Sequence, residues 1–85
     1  MLLNKIYGAI SMEIENKLKT IFHNMGIYID QEDYTEELEL ESLQFVALII
    51  AIEKEFMVRI NDDILEVKEL ANFKDYVNLV EKLYE

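Results

Sequence analysis

Few residues of this 85-residue chain have side chains that could carry out chemistry. Cysteine is absent, which excludes a thiolate nucleophile, a disulfide and a cysteine zinc site. The only histidine, His23, falls in a different predicted helix from the serine of interest, Ser42. The sequence therefore offers no Ser-His-Asp triad and no histidine cluster for a metal. We expect no catalytic residue, no metal site and no enzymatic activity.

Ser42 stands at the start of a predicted helix, after the acidic residues Glu39 and Glu41. A serine in this position often serves only as an N-cap, because its hydroxyl accepts a hydrogen bond from a backbone N–H group. The position also suits a phosphate ester attached to the hydroxyl, because free N–H groups and the helix dipole favour negative charge there. Position alone leaves both interpretations open.

The chain is strongly acidic and yet apolar enough to fold. It has 18 acidic and 8 basic residues, a net charge of −10, and 52% hydrophobic residues. This composition excludes a disordered acidic tail and argues against a nucleic-acid partner, and the length predicts a single domain over residues 1–85. Residues 27–66 hold twelve acids and two bases, which account for the whole excess. Such a region would attract a basic partner, unless it is only a solubilising surface.

Neither a leader nor a membrane span is predicted. Asn4 and Lys5 interrupt the apolar N-terminal stretch, which is followed by no cleavage pattern. The apolar run from Phe45 to Ile52 is far shorter than the roughly 18 residues of a membrane span. We expect a monomer in the cytoplasm.

Hydrophobic periodicity predicts an all-α fold. Ser11 could cap a first helix that ends at Gly26. The helix could instead begin earlier, with residues 1–11 as an extension, because the helical spacing of apolar residues continues toward the N-terminus despite Gly8. A long acidic loop over 27–41 precedes a second helix over 42–56. A short helix is predicted from Asn61, with Asp62 and Asp63 in its first turn, and a last helix from Asn72, with Asp75 at capping-box spacing. The predicted apolar positions are Ile14, Leu18, Ile21, Phe22 and Met25 in the first helix, Ile27, Ile29, Leu38 and Leu40 in the loop, and Phe73, Tyr76, Val77, Val80 and Leu83 in the last helix.

The second helix has two apolar faces. One face, predicted to point to the core, consists of Phe45, Leu48, Ile49, Ile52 and Phe56. The opposite face consists of Leu43, Val46, Ala47 and Ile50, hereafter the α2 strip. The predicted short helix, a second copy of the chain or another protein could cover this strip.

The segment from Leu38 to Val46, LELESLQFV, resembles the L-G-x-D-S-L modification motif of acyl carrier proteins. Three later segments are similar to further motifs of that family in the same order. Ala51 to Phe56 resembles A-L-E-x-x-F, Ile60 to Asp63 resembles I-P-D-E, and Asn72 to Val77 resembles the start of T-V-x-D-x-V-x-Y-I. The resemblance covers roughly residues 12 to 84.

The resemblance implies a four-helix bundle with a short third helix and a long loop between the first two. It assigns Ser42 as the attachment point of 4′-phosphopantetheine, which a phosphopantetheinyl transferase supplies from coenzyme A and whose thiol holds acyl or aminoacyl groups as thioesters. Acyl-transferring or condensing enzymes would be the further partners. The implied docking surface consists of the α2 strip, Leu43, Val46, Ala47 and Ile50, together with Glu41, Glu53 and Glu55.

The chain departs from the family pattern at several positions. Glu41 replaces the aspartate before the serine, and Glu39 replaces a glycine. Gln44, Ala47 and Lys54 stand where fatty-acid carriers often have acids, which favours a polyketide or nonribosomal pathway over fatty-acid synthesis and gives apolar contacts a larger share of docking. The alternative function is a carrier-like module that is not modified and binds a protein through its second helix.

Overall fold

The computed structural model describes the backbone of residues 2–60 and 70–84, and the side chains of residues 12–60 and 70–84. Within these ranges the chain forms three α-helices, α1 (Leu2–Asn24), α2 (Ser42–Phe56) and α3 (Phe73–Leu83), with a 3₁₀ turn at Gln31–Asp33. The described secondary structure contains no strand, so the all-α prediction is confirmed for this part. The short helix expected from Asn61 lies outside the described residues.

Helix α1 begins at Leu2, so the earlier of the two expected starts is confirmed and Ser11 lies inside the helix. Gly8 does not end the helix, since one glycine costs only roughly 0.5–1 kcal/mol relative to alanine. At the other end Gly26 has a φ of 83°, and its N–H donates to the His23 carbonyl at 2.9 Å. The Ile27 N–H donates to the Phe22 carbonyl at 2.9 Å, which completes a Schellman motif. The expected glycine cap is confirmed.

The core lies where α1 packs on both α2 and α3. Phe22 of α1 is fully buried, and its ring meets Phe73 edge-on at 5.3 Å and Tyr76 at 5.5 Å between ring centroids. Such pairs add about 0.5–1.5 kcal/mol each beyond the area that they bury. The cluster unites most of the predicted apolar stripes of all three helices and adds Ile60, Leu70 and Leu79, which were not predicted as core residues. Met25 and Leu83 were predicted in these stripes but are only partly buried against the cluster. Its buried members are Ile14, Leu18, Ile21, Phe22, Leu48, Ile49, Ile52, Phe56, Ile60, Leu70, Phe73, Tyr76, Val77, Leu79 and Val80.

Tyr76 is the polar exception within this core. Its side chain is fully buried, and its hydroxyl has no hydrogen-bond partner among the residues that the structure describes. Burial, together with the charge of the adjacent Asp75, raises the pKa of Tyr76 to about 12. The hydroxyl therefore remains protonated in the folded chain at any ordinary pH.

The loop between α1 and α2 is fastened to the start of α3. The Leu38 N–H donates to the Ala71 carbonyl at 2.7 Å, and the Lys74 N–H donates to the Tyr34 carbonyl at 3.0 Å. The four predicted loop anchors, Ile27, Ile29, Leu38 and Leu40, are partly buried against the core, as expected. The 3₁₀ turn was not predicted, because three residues are too few to show a period.

The start of α3 follows the predicted capping box. The Asp75 N–H donates to Asn72 Oδ1 at 2.9 Å, and the Asn72 N–H donates to Asp75 Oδ2 at 3.0 Å. Asp75 Oδ2 also accepts the Ala71 N–H at 2.9 Å. One carboxylate thus caps α3 and holds the preceding backbone, which in turn positions the loop that leads to Ser42.

Candidate functional site

Ser42 is the first residue of α2, and its side chain is exposed. The N-cap of α2 is Glu41, with extended backbone at φ −76° and ψ 159°. The interpretation of Ser42 as the N-cap is therefore wrong by one position. The first helical hydrogen bond explains the difference, because the Phe45 N–H donates to the Glu41 carbonyl at 2.9 Å.

The first turn of α2 is held by Gln44 and leaves the serine free. The Glu41 N–H donates to Gln44 Oε1 at 3.0 Å, which is one half of a capping box. Among the residues that the structure describes, the Ser42 hydroxyl has no hydrogen-bond partner, and the N–H groups of Ser42 and Leu43 have no acceptor. A phosphodiester on this hydroxyl would have solvent room and unpaired donors beside it.

The four residues of the α2 strip are all exposed on one side of α2. Their opposite face is buried as predicted for Leu48, Ile49, Ile52 and Phe56. Phe45 was predicted to face the core, but it is only partly buried. It lies in the first turn of the helix, at the edge of the core. One large exposed apolar residue that directly follows α2, Met57, was not predicted from the sequence. The exposed fractions are Leu43 84%, Val46 53%, Ile50 46% and Met57 91%.

The three acids of the expected docking surface lie in different environments. Glu41 is exposed next to Ser42. Glu53 is partly buried, and its Oε2 accepts the Ile60 N–H at 3.0 Å. Glu55 is exposed, and its Oε1 lies 4.0 Å from Lys17 Nζ. Only Glu41 therefore lies beside the serine, while Glu53 and Glu55 have partners elsewhere in the fold.

The single histidine of the chain contacts an aromatic ring. The His23 ring packs edge-on against Tyr28, with 4.6 Å between the ring centroids. Within the described ranges, no group of three or more His, Cys, Asp or Glu side chains is arranged to hold a metal ion. None of the helices seen in the described segments combines the length and hydropathy required to cross a bilayer.

Comparison with known proteins agrees with this geometry. Residues 24–77 match the family model described as the phosphopantetheine attachment site. An acyl carrier protein of Acidothermus cellulolyticus is 38% identical over 50 residues, which are 59% of this chain and 57% of the relative. The chain thus aligns with little more than half of that relative's length. No solved structure matches the chain.

The matched range contains both Ser42 and the whole of α2, and the resemblance seen in the sequence is confirmed. The residues present also fit the cofactor, since an exposed and unbonded hydroxyl stands at a helix start. The family consists of carriers and not of enzymes. This chain therefore belongs to the phosphopantetheine attachment site family of acyl carrier proteins, whose cofactor is covalent 4′-phosphopantetheine.

Proposed function

We propose that this chain is an acyl carrier that holds acyl or aminoacyl intermediates as thioesters on a 4′-phosphopantetheine arm attached to Ser42. One observation supports the assignment to this residue above all others. Ser42 is an exposed serine at the first position of α2, within the segment that matches the family. Because the chain has no cysteine, the thiol of the arm supplies the nucleophilic sulfur that the protein lacks.

The residues around Ser42 have two tasks in this proposal. The Ser42 hydroxyl oxygen would form a new bond to the pantetheine-bearing phosphorus of coenzyme A when a phosphopantetheinyl transferase delivers the arm. The pyrophosphate P–O bond at that phosphorus would break, adenosine 3′,5′-bisphosphate would leave, and the hydroxyl proton would pass to a base of the transferase. The Ser42 and Leu43 N–H groups would be available as donors to the negatively charged phosphodiester, and the positive end of the α2 dipole would favour that charge. Glu41 opposes it, so its carboxylate lowers the affinity of the site for anions other than the covalently attached one.

The proposed docking surface for partner enzymes is the α2 strip with Glu41, Glu53 and Glu55. The exposure of the strip supports this role, because burying two or three such side chains contributes on the order of 1.5–3 kcal/mol each before the costs of association. A binding free energy of this size suits weak, reversible binding to several enzymes in turn. Because its carboxylate accepts the Ile60 N–H, Glu53 also links α2 to the segment that follows it.

The remaining parts of the proposal concern the whole molecule. In this proposal residues 1–85 form one domain with the four-helix bundle of the family, and the protein acts as a monomer in the cytoplasm. Its partners are the transferase and acyl-transferring or condensing enzymes. The replacement of acids by Gln44, Ala47 and Lys54 favours a polyketide-like or nonribosomal pathway over fatty-acid synthesis.

Loading with an acylated donor tests the carrier function. The protein is incubated with acetyl-coenzyme A and a broad-specificity phosphopantetheinyl transferase, and then weighed intact before and after hydroxylamine. We expect a gain of one acetylated arm and loss of the acetyl group alone after hydroxylamine, which cleaves thioesters. A protein that gains no mass would instead support the alternative, an unmodified module that binds proteins through α2.

A further inference from the structure

One peptide unit joins the start of α3 to the loop that precedes Ser42. Its carbonyl, that of Ala71, accepts the Leu38 N–H at 2.7 Å, and its N–H, that of Asn72, donates to Asp75 Oδ2 at 3.0 Å. The carbonyl and the N–H of a trans peptide point in opposite directions. The loop and the carboxylate therefore hold the same rigid amide plane from its two sides.

The Asp75 carboxylate fixes the backbone around this peptide unit. Its Oδ2 accepts the Ala71 N–H at 2.9 Å in addition to the Asn72 N–H, so one oxygen fastens two consecutive peptide units. Both hydrogen bonds are partly buried. The negative charge also polarises the amide and strengthens the Ala71 carbonyl as an acceptor, because hydrogen bonds in series reinforce one another. The carboxylate thus stabilises the hydrogen bond that holds the loop at Leu38.

Little chain lies between that hydrogen bond and the serine. Three residues separate Leu38 from Ser42, and one of them, Leu40, is partly buried against the core. Another, Glu41, has extended backbone, and its carbonyl accepts the first hydrogen bond of α2, from the Phe45 N–H at 2.9 Å. A displacement of Leu38 therefore moves the first turn of α2, because so short and anchored a segment cannot absorb it.

We propose that Asp75 is a positioning residue for the modification of Ser42. Through the Ala71 carbonyl and Leu38, its carboxylate holds the loop that places the first turn of α2, and so presents the serine hydroxyl to the transferase in one position. Positioning of this kind raises the reaction rate, and a displacement of about 1 Å can lower it on the order of a hundredfold. Asp75 itself touches neither the arm nor the transferase. The inference rests on the proposed attachment of the arm to Ser42.

Amide hydrogen exchange of the unmodified full chain tests the link to the loop. Asp75→Ala removes the acceptor of both N–H groups, whereas the matched control, Asn72→Ala, removes the other acceptor of the same capping box and keeps the carboxylate. The Leu38 amide is compared with that of the fully buried Leu18, which reports opening of the whole fold. We expect Asp75→Ala to speed exchange at Leu38 at least about fivefold more than at Leu18.

The control should not speed exchange at Leu38 more than at Leu18. The proposal would be overturned if Asp75→Ala had no preferential effect on the Leu38 amide. It would also be overturned if Asn72→Ala produced the same preference, because loss of helix capping would then explain both variants.

The kinetics of modification test the consequence for Ser42. With coenzyme A and a broad-specificity phosphopantetheinyl transferase, kcat and KM are measured for the wild type, both alanine variants and Asp75→Asn, at a temperature where circular dichroism shows all four folded. We expect Asp75→Ala to lower kcat about three- to tenfold and to change KM less than about twofold, because the docking surface is unaltered. Asp75→Asn keeps an acceptor oxygen and should recover part of the loss, and Asn72→Ala should stay within about twofold of the wild type.

An unchanged kcat in Asp75→Ala would overturn the proposal. So would a higher KM at unchanged kcat, since this acid would then contact the transferase directly, or an equal loss of kcat in Asn72→Ala. A wild type that accepts no arm would refute the proposed function instead, and hydrogen exchange would still decide whether Asp75 controls the loop.

Discussion

The backbone N–H of Ile60 donates to Oε2 of Glu53 at 3.0 Å, which ties the segment after α2 to the last turns of that helix. Ile60 is buried, so this contact leads the chain from α2 back into the core. Glu53, which belongs to the proposed docking surface, thus also has a structural role.

Replacing Glu53 therefore tests whether this acid is structural. Glu53→Ala should lower the free energy of unfolding by about 1–3 kcal/mol, because it leaves the Ile60 N–H without its acceptor. Glu53→Gln retains an acceptor oxygen and should lose less. Glu55→Ala, at an exposed ion pair, should change stability by less than about 1 kcal/mol. Urea unfolding of the three variants measures these differences. Equal losses of unfolding free energy in Glu53→Ala and Glu55→Ala would contradict the structural role of Glu53.

The two faces of α2 should respond oppositely to substitution. Leu48 is fully buried and Ile50 is 46% exposed, although both are aliphatic and only two residues apart. Leu48→Ala should destabilise the fold by about 2–5 kcal/mol through a cavity in the core. Ile50→Glu should change stability by about 0.5 kcal/mol or less and should weaken partner docking. Thermal melts followed by circular dichroism test the pair, and a larger loss at position 50 would mean that the faces are exchanged.

Phe45→Ala is expected to fall between these two cases. A fully buried phenylalanine would cost about 3–5 kcal/mol on truncation, but Phe45 is only partly buried against the core. Its truncation should therefore cost less than that range and less than truncation of Phe22, which is fully buried. Melting curves for Phe45→Ala and Phe22→Ala provide the comparison, and an equal loss in the two variants would contradict this assignment of depth.

Tyr76 should make stability fall at high pH. Burial raises the pKa of Tyr76 to about 12 from the usual tyrosine value of about 10, so the unfolded chain releases this proton at a lower pH than the folded chain does. The contribution of this pKa shift to the free energy of unfolding is fully present below pH 10. It is lost as the pH rises to about 12, and the loss is roughly 2–3 kcal/mol for a shift of two pH units. Unfolding measured from pH 9 to 12 should show this loss in the wild type.

The Tyr76→Phe variant isolates that effect. It should lack the alkaline loss attributed to this group, and at neutral pH it should be as stable as the wild type or more so, because it removes an unpaired buried hydroxyl. Tyr28→Phe, at a tyrosine that is 70% exposed, is the control and should follow the wild-type profile. Parallel profiles for Tyr76→Phe and the wild type would contradict the account.

Sequence patterns predicted the features that depend on local chemistry. The Gly26 cap, the Asn72 capping box and the buried stripes follow from rules that act over a few residues, and all three are found. Contacts between distant segments were beyond such rules, and the hydrogen bond from the Leu38 N–H to the Ala71 carbonyl is the clearest case. A one-residue shift of the N-cap from Ser42 to Glu41 also escaped prediction, because glutamate is not among the preferred N-cap residues and sequence patterns fix a helix end only to within one or two residues.

The exposed strip was predicted from periodicity, but Met57 was not. It lies just beyond α2 with a positive φ of 53°, where helical phase no longer tells which way a side chain points.

The most direct test of the account is the site of modification. The chain contains two serines, Ser11 and Ser42, which provide a matched pair of variants. The wild type, Ser11→Ala and Ser42→Ala are each incubated with coenzyme A and a broad-specificity phosphopantetheinyl transferase, then weighed intact. The account predicts a gain of one phosphopantetheine in the wild type and in Ser11→Ala, and none in Ser42→Ala. An unchanged wild type, or a Ser42→Ala variant that still gains the arm, would contradict it.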